Sequence, residues 1–188
     1  MIKVLLTGGA GYIGSILSEE LLKNDYQVTV VDNFMYNQTS LNHIIGNKRI
    51  EVINSDVRNF NAIKKHFTSS DIIIPLAAIV GAPACKKDPI GSTTINKDSI
   101  FEILKNASND QLILMPTTNS AYGSGDRDNL CDENSKLNPI SIYAKDKVEV
   151  EKVLMQKNNA ISLRLATVFG MSPRMRLDLL VNDFVYRA

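Results

Sequence analysis

The segment Thr7–Ser15, with the sequence TGGAGYIGS, contains four of the chain's ten glycines and follows the apolar run Val4–Leu6. Glycine lacks a Cβ and adopts positive φ without strain, so a backbone of this composition can turn sharply and approach a bulky anion. The spacing fits two phosphate-binding patterns, G-x-G-x-x-G and G-x-x-G-x-x-G, which between them use Gly8, Gly9, Gly11 and Gly14. The segment therefore predicts a pyrophosphate site, with a ligand-free glycine turn as the alternative.

The flanking sequence favours a dinucleotide over an empty turn. A β-like stretch, Ile2–Leu6, precedes the glycines and a helical stretch, Tyr12–Lys23, follows them. A helix N-terminus would then direct free N–H groups and the positive end of the helix dipole at the phosphates. Asp32 ends the next apolar run, 18 residues after Gly14, where a dinucleotide fold places a carboxylate on the adenine ribose 2′-hydroxyl. No Arg or Lys occurs between residues 33 and 41 to neutralise a 2′-phosphate, so NAD is predicted rather than NADP.

Short β-branched runs alternate with longer amphipathic stretches along the whole chain. The predicted strands are Ile2–Leu6, Gln27–Asp32, Arg49–Asn54, Asp71–Leu76, Gln111–Pro116 and Ala160–Ala166. Helices between them, including one predicted between the second and third strands, indicate right-handed βαβ units. The fold class is therefore α/β, a doubly wound parallel sheet of the Rossmann type. Residues 1–170 are assigned to this domain.

Composition limits the possible partners. Lys and Arg number 21 against 20 Asp and Glu, which gives no net charge for holding nucleic acid or an anionic membrane. The longest apolar stretch, Ile72–Cys85, is too short to span a bilayer and contains two prolines. Two cysteines and two histidines form no metal-ligand pattern and no disulfide framework. We therefore expect a cytoplasmic protein with no metal, no membrane and no nucleic-acid partner.

In a doubly wound sheet the ligand lies beyond the carboxyl ends of the strands. The residues at those ends are Asp56 and Val57, then Leu76–Ala78, then Thr117–Gly123. Small side chains at Ala77 and Ala78 would leave room for a cofactor crossing the strand end. For Asp56, adenine contact and capping of the following helix are both open.

The helix that begins near Pro139 contains Tyr143 and Lys147 at spacing i, i+4, so both side chains share one face. A Tyr of pKa about 10 is a poor base near neutrality, and a nearby ammonium favours the phenolate. The pair is therefore predicted to supply an activated phenol. A surface Tyr and Lys on an ordinary amphipathic helix are the alternative.

Taken together, the glycine turn, Asp32, Asp56-Val57, Leu76-Ala77-Ala78, Thr118 and the Tyr143/Lys147 pair resemble the extended short-chain dehydrogenase/reductases over nearly all of the chain. More narrowly, the chain is similar to their NAD-dependent epimerase/dehydratase branch, which acts on nucleotide sugars. The resemblance implies that Tyr143 is the general acid/base, that Lys147 holds the nicotinamide ribose and lowers the Tyr pKa, and that Thr118 hydrogen-bonds the reacting oxygen.

The same resemblance implies the full site. The implied NAD-binding residues are Gly8, Gly11, Tyr12, Ile13, Gly14, Asp32, Asn33, Asp56, Val57, Leu76, Ala77, Ala78, Asn96, Tyr143 and Lys147. The implied substrate-binding residues are Thr118, Asn119, Arg174 and Arg176. For Asn96 a helix cap remains an alternative. For the two arginines a diphosphate contact and a solvated loop remain open.

One departure from the family pattern narrows the reaction. The sugar 4,6-dehydratases follow the Thr with Asp-Glu, whereas this chain has Asn119 and Ser120, so dehydration is disfavoured. Oxidation of a nucleotide sugar remains, at C4, ending as a keto sugar or an epimer. The stretches 78–85, 118–120 and 164–178 resemble a bacterial surface-polysaccharide subgroup that includes enzymes oxidising C4 of GDP-heptoses.

Chain length leaves a second function open. Extended members build the substrate domain mainly from later residues, and this sequence stops at Ala188. By that resemblance, residues 171–188 are assigned to the start of a truncated substrate-binding region. An NAD-binding module or inactive partner subunit is therefore the alternative. The resemblance also implies a homodimer formed through the helix bearing Tyr143 and the helix near residues 90–107.

Overall fold

The computed structural model describes residues 1–124 and 130–188. The strands are β1 (Lys3–Thr7), β2 (Gln27–Asp32), β3 (Ile50–Asn54), β4 (Ile72–Pro75), β5 (Leu112–Pro116) and β6 (Ala160–Leu163). The helices are α1 (Tyr12–Lys23), α2 (Phe60–Thr68), α3 (Ala82–Lys87), α4 (Pro89–Thr93), α5 (Ser99–Asn106), α6 (Ile142–Leu154) and α7 (Leu180–Arg187). A π-helical turn, Thr94–Asp98, joins α4 to α5, and a 3₁₀ turn, Asn119–Tyr122, follows β5.

All six strands form one sheet in the order β3-β2-β1-β4-β5-β6. Every pairing is parallel, and the central strand β1 lies between β2 and β4, with Val4 opposite both Val28 and Ile72. The order along the sheet reverses at β1, because the chain runs outward to β3 and then returns to β4 on the other side. The predicted doubly wound α/β fold is confirmed, and the crevice of such a sheet opens at this reversal point.

The inner strands β1, β2 and β4 are buried on both faces of the sheet, as is usual for parallel strands. Successive residues of β1 point to opposite faces, so Val4 and Leu6 pack with Val28 and Leu22 on one face. Leu5 packs with the cluster on the other face, where Phe67 of α2 is fully buried. These two layers fix the carboxyl ends of β1, β2 and β4 at one edge of the molecule.

The helix predicted between β2 and β3 is wrong. Residues 33–49 form turns, with Phe34 and Asn37 at φ near +50°. The carboxylate of Asp32 accepts the Phe34 N–H, and the Asn33 side chain accepts the Met35 N–H. Such short side chains compete with helical hydrogen bonds for the backbone. The predicted ends of the strands agree with the observed ends within two residues, except that β6 ends three residues earlier than predicted, at Leu163.

The carboxyl-terminal part carries the exposed apolar surface. On α7, Phe184 and Val185 are mostly exposed, as are Phe169 and Met171 in the segment after β6. β6 is an edge strand. Of the helices in the described ranges, none is long and apolar enough to cross a membrane.

Candidate cofactor and active site

The glycine turn holds three glycines that cannot be replaced without a clash or strain. Gly8 has φ +71°, and a Cβ there would lie 2.6 Å from the backbone N of Ala77. A Cβ on Gly14 would lie 2.5 Å from the Gly8 carbonyl oxygen, and one on Gly11 would lie 3.0 Å from the same atom. Because all these contacts are to backbone, the turn, the first helix and the end of β4 lie against one another. A shallow cradle remains in front of them.

The amino end of α1 faces that cradle with its positive charge uncompensated. Gly11 is the N-cap and offers no side-chain acceptor, and the first turn, which includes Ile13, has no acidic residue. The first N–H groups of an α-helix have no partner within the helix. The local structure is thus suited to an anion.

Asp32 lies at the carboxyl end of β2 and is 8% exposed. Its Oδ2 accepts the Ala10 N–H at 3.0 Å, while Oδ1 accepts the Phe34 N–H at 2.8 Å and the Gln38 side-chain amide at 3.2 Å. These bonds fix the carboxylate beside the glycine turn. Asp32 also lines the cavity described next.

A cavity of about 100 Å³ opens at the point where the strand order reverses. Nine of the predicted NAD-binding residues line it: Gly8, Gly11, Asp32, Asn33, Asp56, Val57, Leu76, Ala77 and Ala78. Sequence reasoning missed seven others: Val31, Met35, Tyr36, Gln38, Ser55, Ile79 and Ile95. Six predicted residues do not line it, namely Tyr12, Ile13, Gly14, Asn96, Tyr143 and Lys147. Met35, Tyr36 and Gln38 could have been identified from the sequence, because they follow closely after Asp32 at the end of a predicted strand.

Asp56 does not cap α2, because Asn59 holds that position and accepts the Ala62 N–H. Arg58 instead donates to both carboxylate oxygens of Asp56, at 2.9 and 2.7 Å. These bonds lower the pKa of Asp56 to about 2. The side chain is therefore a fixed anion at the cavity wall.

Asn96 is fully buried inside the π-helical turn, so the helix-cap alternative is wrong. Its Oδ1 accepts the Ile79 N–H at 2.8 Å, and its Nδ2 donates to the Ile79 carbonyl at 2.9 Å. This pair of hydrogen bonds fixes the backbone just after Ala78. Asn96 thus shapes the cavity wall through Ile79 without lining the cavity.

Tyr143 and Lys147 share one face of α6, which begins where the Ser141 hydroxyl accepts the Ala144 N–H at 3.1 Å. Lys147 is 3% exposed, so the surface-pair alternative is wrong for this residue. Its Nζ lies 5.9 Å from the centroid of the Tyr143 ring. Among the described residues, none accepts a hydrogen bond from this ammonium, and burial lowers the Lys147 pKa to about 8. An ammonium without a protein partner, at the end of an otherwise buried side chain, is suited to a ligand's hydroxyls.

The pKa of Tyr143 is raised, chiefly by burial and further by the nearby Cys85 thiol, while Arg176 lowers it. Cys85 also donates to the Ile79 carbonyl at 3.4 Å. Because Ile79 lines the cavity, this contact connects the cavity to the Tyr143 side of the crevice. Activation of the phenol therefore needs more positive charge than the chain alone supplies.

The lowered pKa of Lys147 predicts a pH-dependent stability. Below pH 8 the folded chain holds a buried ammonium, whereas the unfolded chain holds a solvated one of pKa 10.5. Between these values unfolding takes up a proton, so stability rises with pH across that window. Lys147→Met should therefore be more stable than wild type by up to about 3 kcal/mol at pH 7, from 1.36 kcal/mol per pKa unit.

Urea unfolding of both proteins between pH 7 and 10.5 would measure this difference, which should vanish toward pH 10.5. The raised pKa of Tyr143 acts on both proteins and cancels. Lys145→Met, an exposed change on the same helix, is the matched control and should show no such trend. A constant difference for Lys147→Met would contradict the prediction.

Thr118 ends the segment after β5 and is 6% exposed. Its Oγ1 accepts the Ser120 N–H at 3.1 Å and so caps the 3₁₀ turn, which leaves the hydroxyl proton free to donate. Asn119 and Ser120 are both exposed. The turn packs against α6, and therefore Thr118 and Tyr143 belong to the same part of the crevice.

A buried ionic network holds α6 in this position. Arg164, just after β6, contacts both carboxylate oxygens of Glu151 on α6, at 3.1 and 3.0 Å. The same guanidinium donates to the Tyr122 hydroxyl at 3.0 Å. One cation thus joins the helix of Tyr143 to the turn of Thr118.

The segment after β6 returns to the start of α1. The Tyr12 hydroxyl donates to the Gly170 carbonyl at 2.7 Å and accepts from the Asn182 amide at 3.0 Å. Tyr12, predicted to bind the cofactor, thus has its hydroxyl engaged in anchoring this segment. Arg176 forms two bonds with Asp178, at 2.7 and 2.6 Å, while Arg174 stacks on Tyr36.

Comparison with known proteins agrees with this geometry. The family model described as "NAD dependent epimerase/dehydratase family" matches residues 4–187. UDP-glucuronic acid decarboxylase 1 from Xenopus tropicalis is 28% identical over 99% of this chain and 46% of its own length. A putative UDP-glucose 4-epimerase from Methanocaldococcus jannaschii is 28% identical over 89% of this chain and 56% of its own length.

Among solved structures, UDP-glucuronic acid 4-epimerase from Bacillus cereus in complex with NAD superposes with a TM-score of 0.83. It is 28% identical, and the match covers 99% of this chain and 62% of that one. The chain thus spans about half the length of the curated relatives named above.

Proposed function

The chain belongs to the NAD-dependent epimerase/dehydratase family, and from that premise we propose that it is the cofactor-binding part of an enzyme that oxidises a nucleotide sugar at C4. The observation that carries the proposal is the side chain of Lys147, which is 3% exposed, has no hydrogen-bond partner among the described residues and lies beside the Tyr143 ring on α6. An ordinary surface helix has no reason to bury a lysine without a partner, because desolvation disfavours the charged form.

The chain's residues fit NAD. The glycine cradle and the uncapped amino end of α1 suit the pyrophosphate, and Asp32 suits the adenine ribose hydroxyls. Lys147 would hold the nicotinamide ribose. When bound, NAD supplies the hydride acceptor and a positive ring that favours the phenolate of Tyr143.

The protein's own contribution is proton transfer and orientation. In the proposed oxidation, the sugar C–H gives up hydride and the hydroxyl on the same carbon gives its proton to the oxygen of Tyr143. Thr118, whose hydroxyl proton is free, would hydrogen-bond the reacting oxygen. A ketone results, and returning the hydride to the other face would give the epimer.

Dehydration and decarboxylation are two further reactions that could follow oxidation at C4. Dehydration needs an acid and a base near the ketone, and the positions after Thr118 hold Asn119 and Ser120. Decarboxylation, the activity named for the Xenopus relative, was absent from the sequence-based expectations. A C4 ketone lies β to the carboxylate of a uronic acid sugar, so the same oxidation would permit it.

Mass spectrometry after incubation with NAD and a panel of GDP-, UDP- and dTDP-sugars tests the proposal. The panel includes a uronic acid and a heptose, because the predicted GDP-heptose substrate and the UDP-sugars of the relatives differ. Loss of two hydrogens indicates a dehydrogenase, equal mass an epimerase, loss of water a dehydratase and loss of CO₂ a decarboxylase. Tight NAD binding without any product would mean that these 188 residues are the cofactor half of an enzyme whose substrate half is absent.

Cofactor choice gives a second test. Asp32→Asn keeps the shape of the side chain but removes the charge that would repel a 2′-phosphate. We expect the ratio of NADP to NAD dissociation constants to fall at least about tenfold, which is about 1.4 kcal/mol. Fluorescence titration of both cofactors measures it, with exposed Asp110→Asn as the control. An unchanged ratio would remove Asp32 from the ribose site.

The domain division and the dimer are proposals of the same kind. Residues 171–188 would begin the substrate region, because their exposed apolar side chains on α7 lack a covering layer within the described residues. A homodimer would use α6 and residues 90–107, where Ile90 and Ile142 are exposed. Light scattering at micromolar concentration tests whether the chain is a dimer.

A cytoplasmic location is likewise a proposal, and it is supported by the sequence composition alone.

A further inference from the structure

The segment after β6 is fastened to the first turn of α1. The Ser172 hydroxyl donates to the Tyr12 carbonyl at 2.7 Å and lies 3.1 Å from the Ser15 hydroxyl. Asn182 adds its bonds to the Tyr12 hydroxyl and to the Gly170 N–H. The segment is therefore held beside the end of α1 that faces the glycine cradle.

Arg174 follows this anchor by two residues and extends toward the cavity. Its guanidinium lies 4.8 Å from the ring centroid of Tyr36. Tyr36 lines the cavity together with Asp32 and Gln38. The guanidinium thus lies against the loop after β2, beside a residue of the cavity wall.

Most donors of this guanidinium are unused. Within the described residues, its single hydrogen bond goes from Nη1 to the Met175 carbonyl at 2.8 Å, and no carboxylate pairs with it. A guanidinium has five N–H donors. Arg176 differs, because Asp178 binds two of its nitrogens. Of the two arginines, Arg174 has the charge and the donors available for a ligand.

We propose that Arg174 binds the diphosphate of the dinucleotide cofactor, with Tyr36 holding its guanidinium in place; this rests on the proposed NAD site. A planar guanidinium binds phosphate oxygens in a bidentate manner, and stacking on an aromatic ring restricts its orientation. The sequence predicted Arg174 to contact the substrate diphosphate. Its contact with Tyr36, a residue that lines the cofactor cavity, favours the cofactor instead.

The loop after Asp32 has no cation of its own, and Arg174 brings one to it from the other end of the domain. No Arg or Lys occurs between residues 33 and 41, yet Arg174 reaches the Tyr36 ring in that stretch. Asp32 still occupies the ribose position, so the arginine serves the diphosphate and leaves the preference for NAD intact.

Calorimetric titration of the 188-residue chain with ADP-ribose, adenosine and UDP tests the proposal. Arg174→Ala should weaken ADP-ribose about tenfold, the loss of about one bond to a charged group, and leave adenosine and UDP unchanged. Arg174→Lys should restore part of the affinity, because it keeps the charge but loses the fork. Exposed Arg187→Ala is the control for net charge.

Tyr36→Leu provides a second, independent variant. If the ring acts by holding the guanidinium, the losses in Tyr36→Leu and Arg174→Ala should be non-additive in the double variant. Equal weakening of adenosine by Arg174→Ala, or no weakening of ADP-ribose, would overturn the proposal. Selective weakening of UDP would overturn it in favour of the substrate diphosphate. If the wild-type chain bound neither NAD nor ADP-ribose, the proposed cofactor site itself would fail.

Discussion

Replacing Tyr143 by Phe is expected to lower turnover of the sugar substrate about a thousandfold, within the range of a positioned acid–base group, and to leave NAD affinity within a few fold. The hydroxyl is the only group removed, and the ring that packs beside Lys147 remains. Loss in turnover without loss in cofactor binding is the signature of an interaction made with the reacting atoms.

Steady-state kinetics and NAD titration measure the two effects. Tyr186→Phe, the same change at an exposed position on α7, is the matched control. Equal turnover in the Tyr143 variant would remove it from the acid/base role. A readout without turnover is available, since bound NAD⁺ should lower the pKa that burial raises in Tyr143. Phenolate absorbance of the wild type should therefore shift to lower pH on NAD binding, and the Phe variant should lack this shift.

Replacing Gly8 by Ala is expected to cost about 3 kcal/mol of unfolding free energy and to abolish NAD binding. Positive φ costs an L-residue about 1–2 kcal/mol, and forcing a methyl group into a packed site costs about 1–3 kcal/mol. Both apply, because the new Cβ would lie 2.6 Å from the backbone of Ala77, which cannot rotate away. The end of β4 would have to move out of the cavity wall.

Thermal melting and NAD titration measure the result, with an expected fall in Tm of about 10 °C from about 3 °C per kcal/mol. Gly46→Ala is the matched control, because a Cβ there meets nothing within 4 Å. That variant should match the wild type or exceed it slightly, through the reduced entropy of the unfolded chain. Similar melting of the Gly8 variant and the wild type would show that the turn can widen.

Much of the site could be predicted because its signals are local. The glycine spacing, the acid that ends β2, and the i, i+4 relation of Tyr143 and Lys147 each depend on a few neighbouring residues. Helix and strand geometry then fix where those side chains point. The failed helix between β2 and β3 is also local in origin, because Asp32 and Asn33 bind the backbone that a helix would use.

By itself, then, the sequence determined the parallel sheet, the glycine cradle, the family and the pair on α6. Only the tertiary structure decided that Asn96 holds Ile79, that the Tyr12 hydroxyl anchors the segment after β6, and that Arg174 stacks on Tyr36. In the last two cases the partners are more than 130 residues apart in the chain. Their contact depends on how the segment after the edge strand folds back across the ends of the inner strands, and no local pattern encodes that path.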